Sequence, residues 1–294
     1  MSEITAIILT HNESRHLRRC LTAVQKVAGR ICVVDSFSND ATESIAREMG
    51  ADFFRNPWVN HAIQFAWALD NCHLQSTWVM RIDADEYPDD QLIQSIRHFV
   101  QSPGVHNAAY FRRKIVFLRQ PITHGFIYPA LILRLWKNGE GTMEQRWMDE
   151  HIIVRNTRAV TLDGDLVDEN LNDITWWTHK HTGYAIREVY EIVSAHHHTA
   201  TPSALSGQAR LKRWVKTRIY YRLPAGARAG AYFIYRYVLG LGFLDGKSGF
   251  YFHFLQAFWY RVFVDAKLHE LSLQARQEGL TPREFLRRKG VFDH

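Results

Sequence analysis

The first hundred residues alternate short apolar runs with amphipathic ones, and that alternation restricts the chain to a sheet whose strands run mostly parallel, joined by right-handed crossovers. Ile4 to Thr10, Ile31 to Asp35, Ala51 to Arg55 and Trp78 to Ile82 read as buried strands. Between the first two, Glu13 to Val27 puts Leu17, Leu21 and Val24 on one face, the period of a helix. Ser38 or Asn39 is expected to cap the next helix, which stops at Gly50; His61 to Cys72 and Asp89 to Gln101 supply two more. After Pro103 the pattern changes. Ala108 to Leu118, Ala130 to Lys137 and Glu150 to Asn156 look like strands without long helices between them, so mixed strands complete the sheet. From about Asn172 the chain reads as helical, over Tyr184 to His196, Ala204 to Tyr221, Ala229 to Leu239, Phe250 to Lys267 and Pro282 to Lys289. The expectation is an α/β, Rossmann-like domain over residues 1–170, divisible near residue 103, and a helical region over 171–294.

The chain has 294 residues, 46% hydrophobic and 22% charged, the balance of a folded chain with a sizeable core. Cys20, Cys32 and Cys72 show no metal-ligand spacing and read as reduced thiols of an intracellular protein. Polar residues follow Met1 at once, so no export signal is expected, and no run of eighteen apolar residues suggests a membrane span.

Chemistry concentrates where the strands end. Trp78-Val79-Met80-Arg81-Ile82 runs straight into Asp83-Ala84-Asp85-Glu86, placing two carboxylates at the carboxyl edge of the sheet, where open α/β sheets bind ligands. Carboxylates so placed are hard oxygen ligands for Mg²⁺ or Mn²⁺ holding a diphosphate. Thr10-His11-Asn12-Glu13 ends the first strand with polar side chains able to meet a ligand. Val33-Val34-Asp35-Ser36 ends the second, with an Asp able to accept hydrogen bonds from a nucleobase edge or a ribose. Further on, Trp147-Met148-Asp149-Glu150-His151 sets a second acidic pair before a strand.

Together these motifs resemble the family 2 inverting glycosyltransferases of the GT-A fold, and among them the bacterial branch that builds lipopolysaccharide core, O-antigen and exopolysaccharide. The resemblance covers roughly residues 3 to 160. It rests on Leu9-Thr10-His11-Asn12-Glu13, Val33-Val34-Asp35-Ser36 with Asn39-Asp40-Ala41-Thr42, Gln64, and Ile82-Asp83-Ala84-Asp85-Glu86. It implies a nucleotide-sugar half near residues 1–103 and an acceptor half over 104–170. Thr10, Asn12, Glu13, Asp35 and Gln64 would hold the donor, a nucleoside-diphosphate sugar with uridine as the family default. Asp83 would contact ribose or sugar, and Asp85 would coordinate the divalent metal. Asp149 or Glu150 would be the base that deprotonates the acceptor hydroxyl. His181 or His179, in Trp176-Trp177-Thr178-His179-Lys180-His181, is the candidate third metal ligand; the competing reading packs that histidine against the tryptophans. Three departures stand out, the first being Asp35-Ser36-Phe37, a bulkier turn than the Asp-Asp or Asp-Ser-Gly of many relatives. Gln64-Phe65-Ala66 lacks the basic residue that the branch often carries there, so Arg81, Arg112 or Arg134 would have to meet the diphosphate. The acidic pair is also reversed, which keeps open a sugar-nucleotide-binding subunit without catalysis. A nucleotidyltransferase is disfavoured, since no Gly-rich basic loop follows the first strand.

The charge distribution points to a surface partner. No acidic residue occurs between Glu191 and Asp245, while eight Lys and Arg fall there, Arg228 and Arg236 among them. Sixteen aromatic residues lie between Trp214 and Phe263. Basic residues interleaved with Trp and Tyr describe helices lying on an anionic membrane surface. The expectation is a protein peripheral to the cytoplasmic face of the cell membrane, acting on a lipid-linked saccharide acceptor, with no nucleic-acid partner. The alternative packs these aromatics on the α/β core or on a second copy of the chain, as a homodimer.

Overall fold

In the computed structural model, which describes residues 3–143, 152–194, 224 and 226–291, the chain divides into two units that meet at Asn172 and Asp173. The first unit holds strands β1 (Ile4–Thr10), β2 (Arg30–Asp35), β3 (Asp52–Arg55), β4 (Trp78–Asp83) and β5 (Glu86–Pro88) with helices α1 (Leu17–Val24), α2 (Thr42–Glu48), α3 (His61–Asn71) and α4 (Asp90–Gln101). Strands β6 (Ala108–Phe117), β7 (Gln120–Ile122), β8 (Ala130–Lys137), β9 (Gly141–Met143), β10 (Ile152–Val154) and β11 (Ala159–Glu169) follow.

Strands β3, β2, β1 and β4 are parallel neighbours in that order, as the alternation required. Six of the seven residues of β1 are buried, so it reads as a continuous apolar run and not as an alternation. Leu17, Leu21 and Val24 of α1 enter the core on one face of that sheet, each burial worth about 2 kcal/mol. The helix is shorter than its period suggested, because Glu13 to His16 form a separate turn onto it. Helix α2 starts at Thr42, behind Ala41, and neither Ser38 nor Asn39 caps it. Both residues are spent elsewhere: the amide and hydroxyl of Ser38 bond Asp35, and the amide of Asn39 bonds the Asn12 side chain.

Beyond β4 the sheet continues through β8, β6, β11 and β5, with β8 antiparallel to both neighbours and β11 parallel to β6. Strand β5 closes the far edge, antiparallel to β11, although it begins only three residues after β4 ends. Three residues span at most about 11 Å, whereas four strand spacings in a flat sheet need about 19 Å. The sheet is therefore curled, and the Asp83 to Glu86 turn bridges its two arms.

Strand β11 went unread in the sequence, where the helical region was expected to start close behind it. Asp163, Asp165 and Asp168 dilute its apolar alternation with a strand-disfavouring residue. Its register slips between Thr161 and Asp165, and Gly164, at φ 93°, sits in that irregularity. A Cβ at Gly164 would lie 2.1 Å from the Leu92 nitrogen, so only glycine lets the start of α4 pack there.

The second unit contains α5 (Ile174–Ser194), α6 (Ala227–Ile234), α7 (Gly246–His253), α8 (Tyr260–Gln277) and α9 (Pro282–Arg288). Helix α5 begins at Ile174, earlier than Tyr184, because Asp173 accepts a hydrogen bond from the Trp176 amide at 2.8 Å. A π-helical stretch, Phe254–Trp259, separates α7 from α8 where one continuous helix was expected. Ala185 and Val189 of α5 share a core with Tyr260, Val264, Leu271 and Ala275 of α8 and with Phe285 and Leu286 of α9. The Glu188 carboxylate accepts hydrogen bonds from Tyr260 at 2.7 Å and Arg261 at 2.5 Å, and Arg228 pairs with Asp265. The expected helix over 204–221 and the triple histidine at 196–198 lie outside the described residues.

Candidate active site

The parallel register puts three strand ends side by side: Thr10 pairs with Asp35 across β1 and β2, and Leu9 with Asp83 across β1 and β4. The first two ends are wired together. Asp35 is 1% exposed; its Oδ1 accepts from the Thr10 hydroxyl at 2.9 Å and the Ser38 hydroxyl at 2.5 Å, and its Oδ2 accepts from the Ser38 amide at 2.7 Å. Asn12 takes the left-handed conformation at φ 56°, which Asn tolerates, and its amide donates to Ser38 Oγ at 2.7 Å. Phe37 adopts φ 59°, a conformation costing about 1–2 kcal/mol for a residue with a Cβ, held by the Ser38–Asp35 bonds on either side. Phe37 is 56% exposed. Thr10 and Asp35 thus form the buried frame, while His11, Asn12, Phe37 and Asn39 present themselves to solvent.

Glu13 is held by its own turn. Its carboxylate accepts from His16 Nδ1 at 2.6 Å, while His16 Nε2 accepts the Leu171 amide at 2.8 Å, an arrangement that sets the proton of that buried ring on Nδ1. Its amide donates to Thr42 at 2.9 Å. Gln64 is also spent: it is fully buried, accepts from Asn56 Nδ2 at 2.7 Å, and donates to Ser36 Oγ at 3.1 Å and the Asn56 carbonyl at 3.2 Å. Both of its amide hydrogens are used, so in this arrangement it braces the β2 turn from behind.

The third strand end carries a charge cluster. Arg134 on β8, 6% exposed, donates from one nitrogen to Asp83 Oδ2 at 2.9 Å and to Glu86 Oε1 at 2.6 Å. Glu86 Oε2 accepts the Asp83 amide at 3.0 Å, and Arg81 lies 3.3 Å from Asp83 Oδ1. Burial would raise the Asp83 carboxyl, but Arg134 and then Arg81 outweigh it and hold the group well below the usual carboxylate range. Burial pushes Glu86 the other way, up to about 8, against the pull of Arg134 and with help from the Asp83 charge. Burial disfavours the Arg134 charge, yet the two carboxylates raise it above its ordinary value. Arg112 bonds the Gly164 carbonyl at 3.1 Å and lies 3.7 Å from Asp165. All three arginines named as substitutes for the diphosphate contact are thus engaged with carboxylates of the fold.

Asp85 has a different neighbourhood. Its Oδ2 accepts from Asn170 Nδ2 at 3.0 Å, and Asn170 Oδ1 in turn accepts the Asn172 amide at 3.0 Å. The Asp85 carbonyl accepts the Glu169 amide at 3.1 Å, and Arg19 pairs with Glu169 while reaching that same carbonyl at 3.4 Å. The exit of β11 therefore clasps the turn that carries Asp85. Asn170 was assigned no role from sequence, and Arg134 was expected to meet the diphosphate and not to pair with Glu86. Each depends on a contact across 48 or more residues, and only the unread strand β11 brings Asn170 within reach.

Asp149 and Glu150 lie outside the described residues. His181 belongs to the second unit, where its ring stacks on Trp177 with centroids 3.5 Å apart and meets Tyr184 and Tyr260 edge-on. Its Nδ1 donates to the Trp177 carbonyl at 2.8 Å, and burial pushes its imidazole down to about 4. Among the described residues no group of three or more His, Cys, Asp or Glu side chains converges as a complete metal cage. One or two carboxylates at Asp85 and Asp83 nonetheless fit Mg²⁺ or Mn²⁺, whose remaining positions phosphate oxygens and water fill.

A curled, mostly parallel sheet with polar groups gathered at the carboxyl ends of β1, β2 and β4 defines an α/β protein built to bind a ligand at that edge. The chain belongs to glycosyl transferase family 2, whose domain is recognised over residues 5–158. It is 29% identical over 120 residues to an uncharacterized glycosyltransferase of Rickettsia felis, covering 41% of this chain and 42% of that protein. It is 30% identical over 118 residues to another of Rickettsia conorii, covering 40% and 41%. The matched stretch thus spans about two-fifths of those relatives' own length. Among solved structures it is similar to the mannosyltransferase PcManGT of Pyrobaculum calidifontis in complex with GDP-Man and Mn²⁺, at a TM-score of 0.53 and 16% identity over 91% of this chain and 87% of that one. That likeness shows the GT-A fold.

Proposed function

We propose that this protein is an inverting, hexosyltransferase-type glycosyltransferase that moves one sugar from a nucleoside-diphosphate sugar, with UDP as the carrier, to a lipid-linked saccharide. The acceptor would belong to cell-surface polysaccharide or lipopolysaccharide synthesis at the cytoplasmic face of the membrane. The observation that carries the reading is the alignment of Thr10–Asp35, Asn12–Ser38 and Asp83–Asp85 on three adjacent parallel strand ends. The first group braces the turn, the second presents donors and acceptors suited to a base and ribose, and the third offers carboxylates suited to a cation-bound diphosphate.

In this reading Asn12, Asn39 and the exposed Phe37 ring meet the nucleoside, while Thr10 and Asp35 hold the turn that presents them. Asp85 would hold a divalent cation with Asp83 beside it, and the bound ion would offset charge on the departing nucleoside diphosphate. Asp83, held ionised by Arg134 and Arg81, keeps its oxygens as acceptors throughout the working pH range. Asp149 or Glu150 would take the proton of the acceptor hydroxyl as its oxygen attacks the anomeric carbon opposite the leaving group, which inverts that centre. Support comes from the family membership, from the resemblance of the acidic pair, and from the nucleotide sugar and Mn²⁺ named in the solved relative.

The test is a calorimetric titration of UDP, GDP and dTDP with and without Mn²⁺, on the wild type and on Asp85→Asn. Metal-dependent binding of UDP that Asp85→Asn abolishes is expected, together with sugar transfer that fails in Glu150→Gln or Asp149→Asn. Binding that ignores both metal and Asp85 would sink the reading. Nucleotide binding without any transfer would leave a sugar-nucleotide-binding subunit.

A further inference from the structure

Ten of the large hydrophobic side chains that the described residues leave exposed fall in one stretch of 21 residues, from Ile234 to Phe254. Leu239 at 66%, Leu244 at 56%, Ile234 at 53% and Tyr251 at 50% lead it. The stretch runs from the end of α6 through a π-helical turn (Tyr235–Leu239) and a short 3₁₀ turn (Gly242–Asp245) into α7. It forms a hairpin, and its bend is a close approach: a Cβ on Gly242 would lie 2.5 Å from His253 Nε2. Three polar residues of the segment point inward. Arg236 is 4% exposed and donates to Gln256 at 3.1 Å, His253 is fully buried, and Asp245 is 5% exposed. An apolar exterior over a polar interior inverts the order of a water-facing hairpin.

Two facts select the occupant. Asp245 is the single acidic residue between Glu191 and Asp265, and it is buried, so the outer face of the hairpin carries no negative charge while Lys247 stands exposed on it. The chain leading into the hairpin is basic throughout, with Arg210, Lys212, Arg213, Lys216, Arg218 and Arg222. A second copy of the same basic chain would be repelled, whereas an anionic leaflet is attracted. No helix among the described residues is long and apolar enough to cross a membrane, which leaves insertion to interfacial depth.

We propose that the Ile234–Phe254 hairpin inserts its apolar tip, led by Leu239 and Leu244, into the headgroup region of an anionic bilayer. The attachment is then mainly apolar at the tip, with the basic chain as the long-range attraction. The inference rests on the reading of a lipid-borne acceptor for its purpose, not for its test.

The test uses the full chain with phosphatidylcholine vesicles carrying phosphatidylglycerol, without donor or acceptor. Leu239→Gln/Leu244→Gln replaces two exposed side chains, so its melting temperature should match the wild type. Its vesicle partition should fall by at least about tenfold, the ratio expected when even one buried leucine is lost. Wild-type binding should persist in part at about 1 M NaCl, where screening confines charge effects to roughly 3 Å. A spin label on Leu244→Cys should lose water accessibility on vesicle binding; Cys20, Cys32 and Cys72 are buried and do not compete for it. Unchanged partition of the double variant, binding lost wholly to salt, a label that stays wet, or no vesicle binding at all would each overturn the proposal. So would a wild-type dimer that the double variant dissolves while vesicle binding survives. Nucleotide titration of the same variants separates the two readings. Vesicle loss with intact nucleotide binding isolates the hairpin, and failed nucleotide binding in the wild type defeats the transferase reading alone.

Discussion

Replacing Arg134 by methionine removes the cation that bonds both Asp83 and Glu86 and leaves a group of similar length in its place. Breaking a buried ion pair from one side costs about 3–5 kcal/mol when the partner stays charged. Here the lower end applies. Burial already pushes Glu86 up to about 8, and losing the opposing pull of Arg134 drives it higher, so Glu86 enters the variant protonated at pH 7. What remains is the loss of two charge-assisted hydrogen bonds, at 2.6 and 2.9 Å, for a net of about 3 kcal/mol. At this size that lowers the melting temperature of the first unit by about 6–12 °C.

The pH dependence has a definite sign. A carboxyl whose folded value is raised gives stability that is complete below its unfolded value and is lost as pH climbs through the folded one. In the wild type that loss ends near pH 8; in Arg134→Met it continues beyond. The gap between the two proteins should therefore widen above pH 8 in metal-free buffer. The double variant Arg134→Met/Glu86→Gln, whose residue 86 cannot ionise, should melt close to Arg134→Met at pH 7 and lose the part of the gap that grows above pH 8. Thermal melts from pH 6 to 9 on all four members of the cycle make the measurement. A single variant that melts like the wild type, or a double variant that is worse by the sum of the singles, would refute the reasoning.

Three further predictions concern Asn170, Gln64 and His181. Asn170→Ala should weaken Mn²⁺ affinity by about tenfold, as loss of a group orienting a metal ligand does, with little change in melting; equal affinity by calorimetry would remove Asn170 from the site. Gln64→Ala should cost about 2 kcal/mol in urea unfolding by stranding Ser36 and Asn56, with nucleotide affinity changed far less. The reverse pattern would make Gln64 a direct donor contact. His181, held down at about 4 by burial among rings, gives stability that is present above its ordinary value of 6.5 and is lost as pH falls towards 4. His181→Phe should remove that acid sensitivity, seen by comparing melts at pH 7 and pH 5, and should leave Mn²⁺ affinity unchanged; a drop in metal affinity would restore His181 as a ligand.

How legible each part was depended on how far apart its partners lie in the chain. The four parallel strands were readable because each is a dense apolar run flanked by helical periodicity, signals complete within a dozen residues. The Asp83–Asp85 turn and the Asp35 turn were readable for the same reason. Helix α2 was misplaced because Ser38 and Asn39 have the chemistry of caps, and only the folded turn shows that Asp35 and Asn12 take their hydrogen bonds first. Strand β11 was missed because its three aspartates mask an alternation that becomes favourable only between β6 and β5.

By itself, then, the amino-acid sequence determined the four parallel strands β1 to β4 and the later β6 and β8, the acidic and polar residues at the carboxyl ends of β1, β2 and β4, and the strongly basic, aromatic character of the tail, while the short strands β5, β7 and β9 went unread. Tertiary structure decided what those residues do for one another. It buried Gln64 and tied Glu13 to His16, made Arg134 the counter-ion of Asp83, brought Asn170 to Asp85, and set the aromatic hairpin with its leucines outward and Arg236 and Asp245 within. The physical reason is that strand and helix propensities are local, whereas burial, ion pairing and orientation arise from contacts between residues far apart in the chain, which exist only once the sheet has curled.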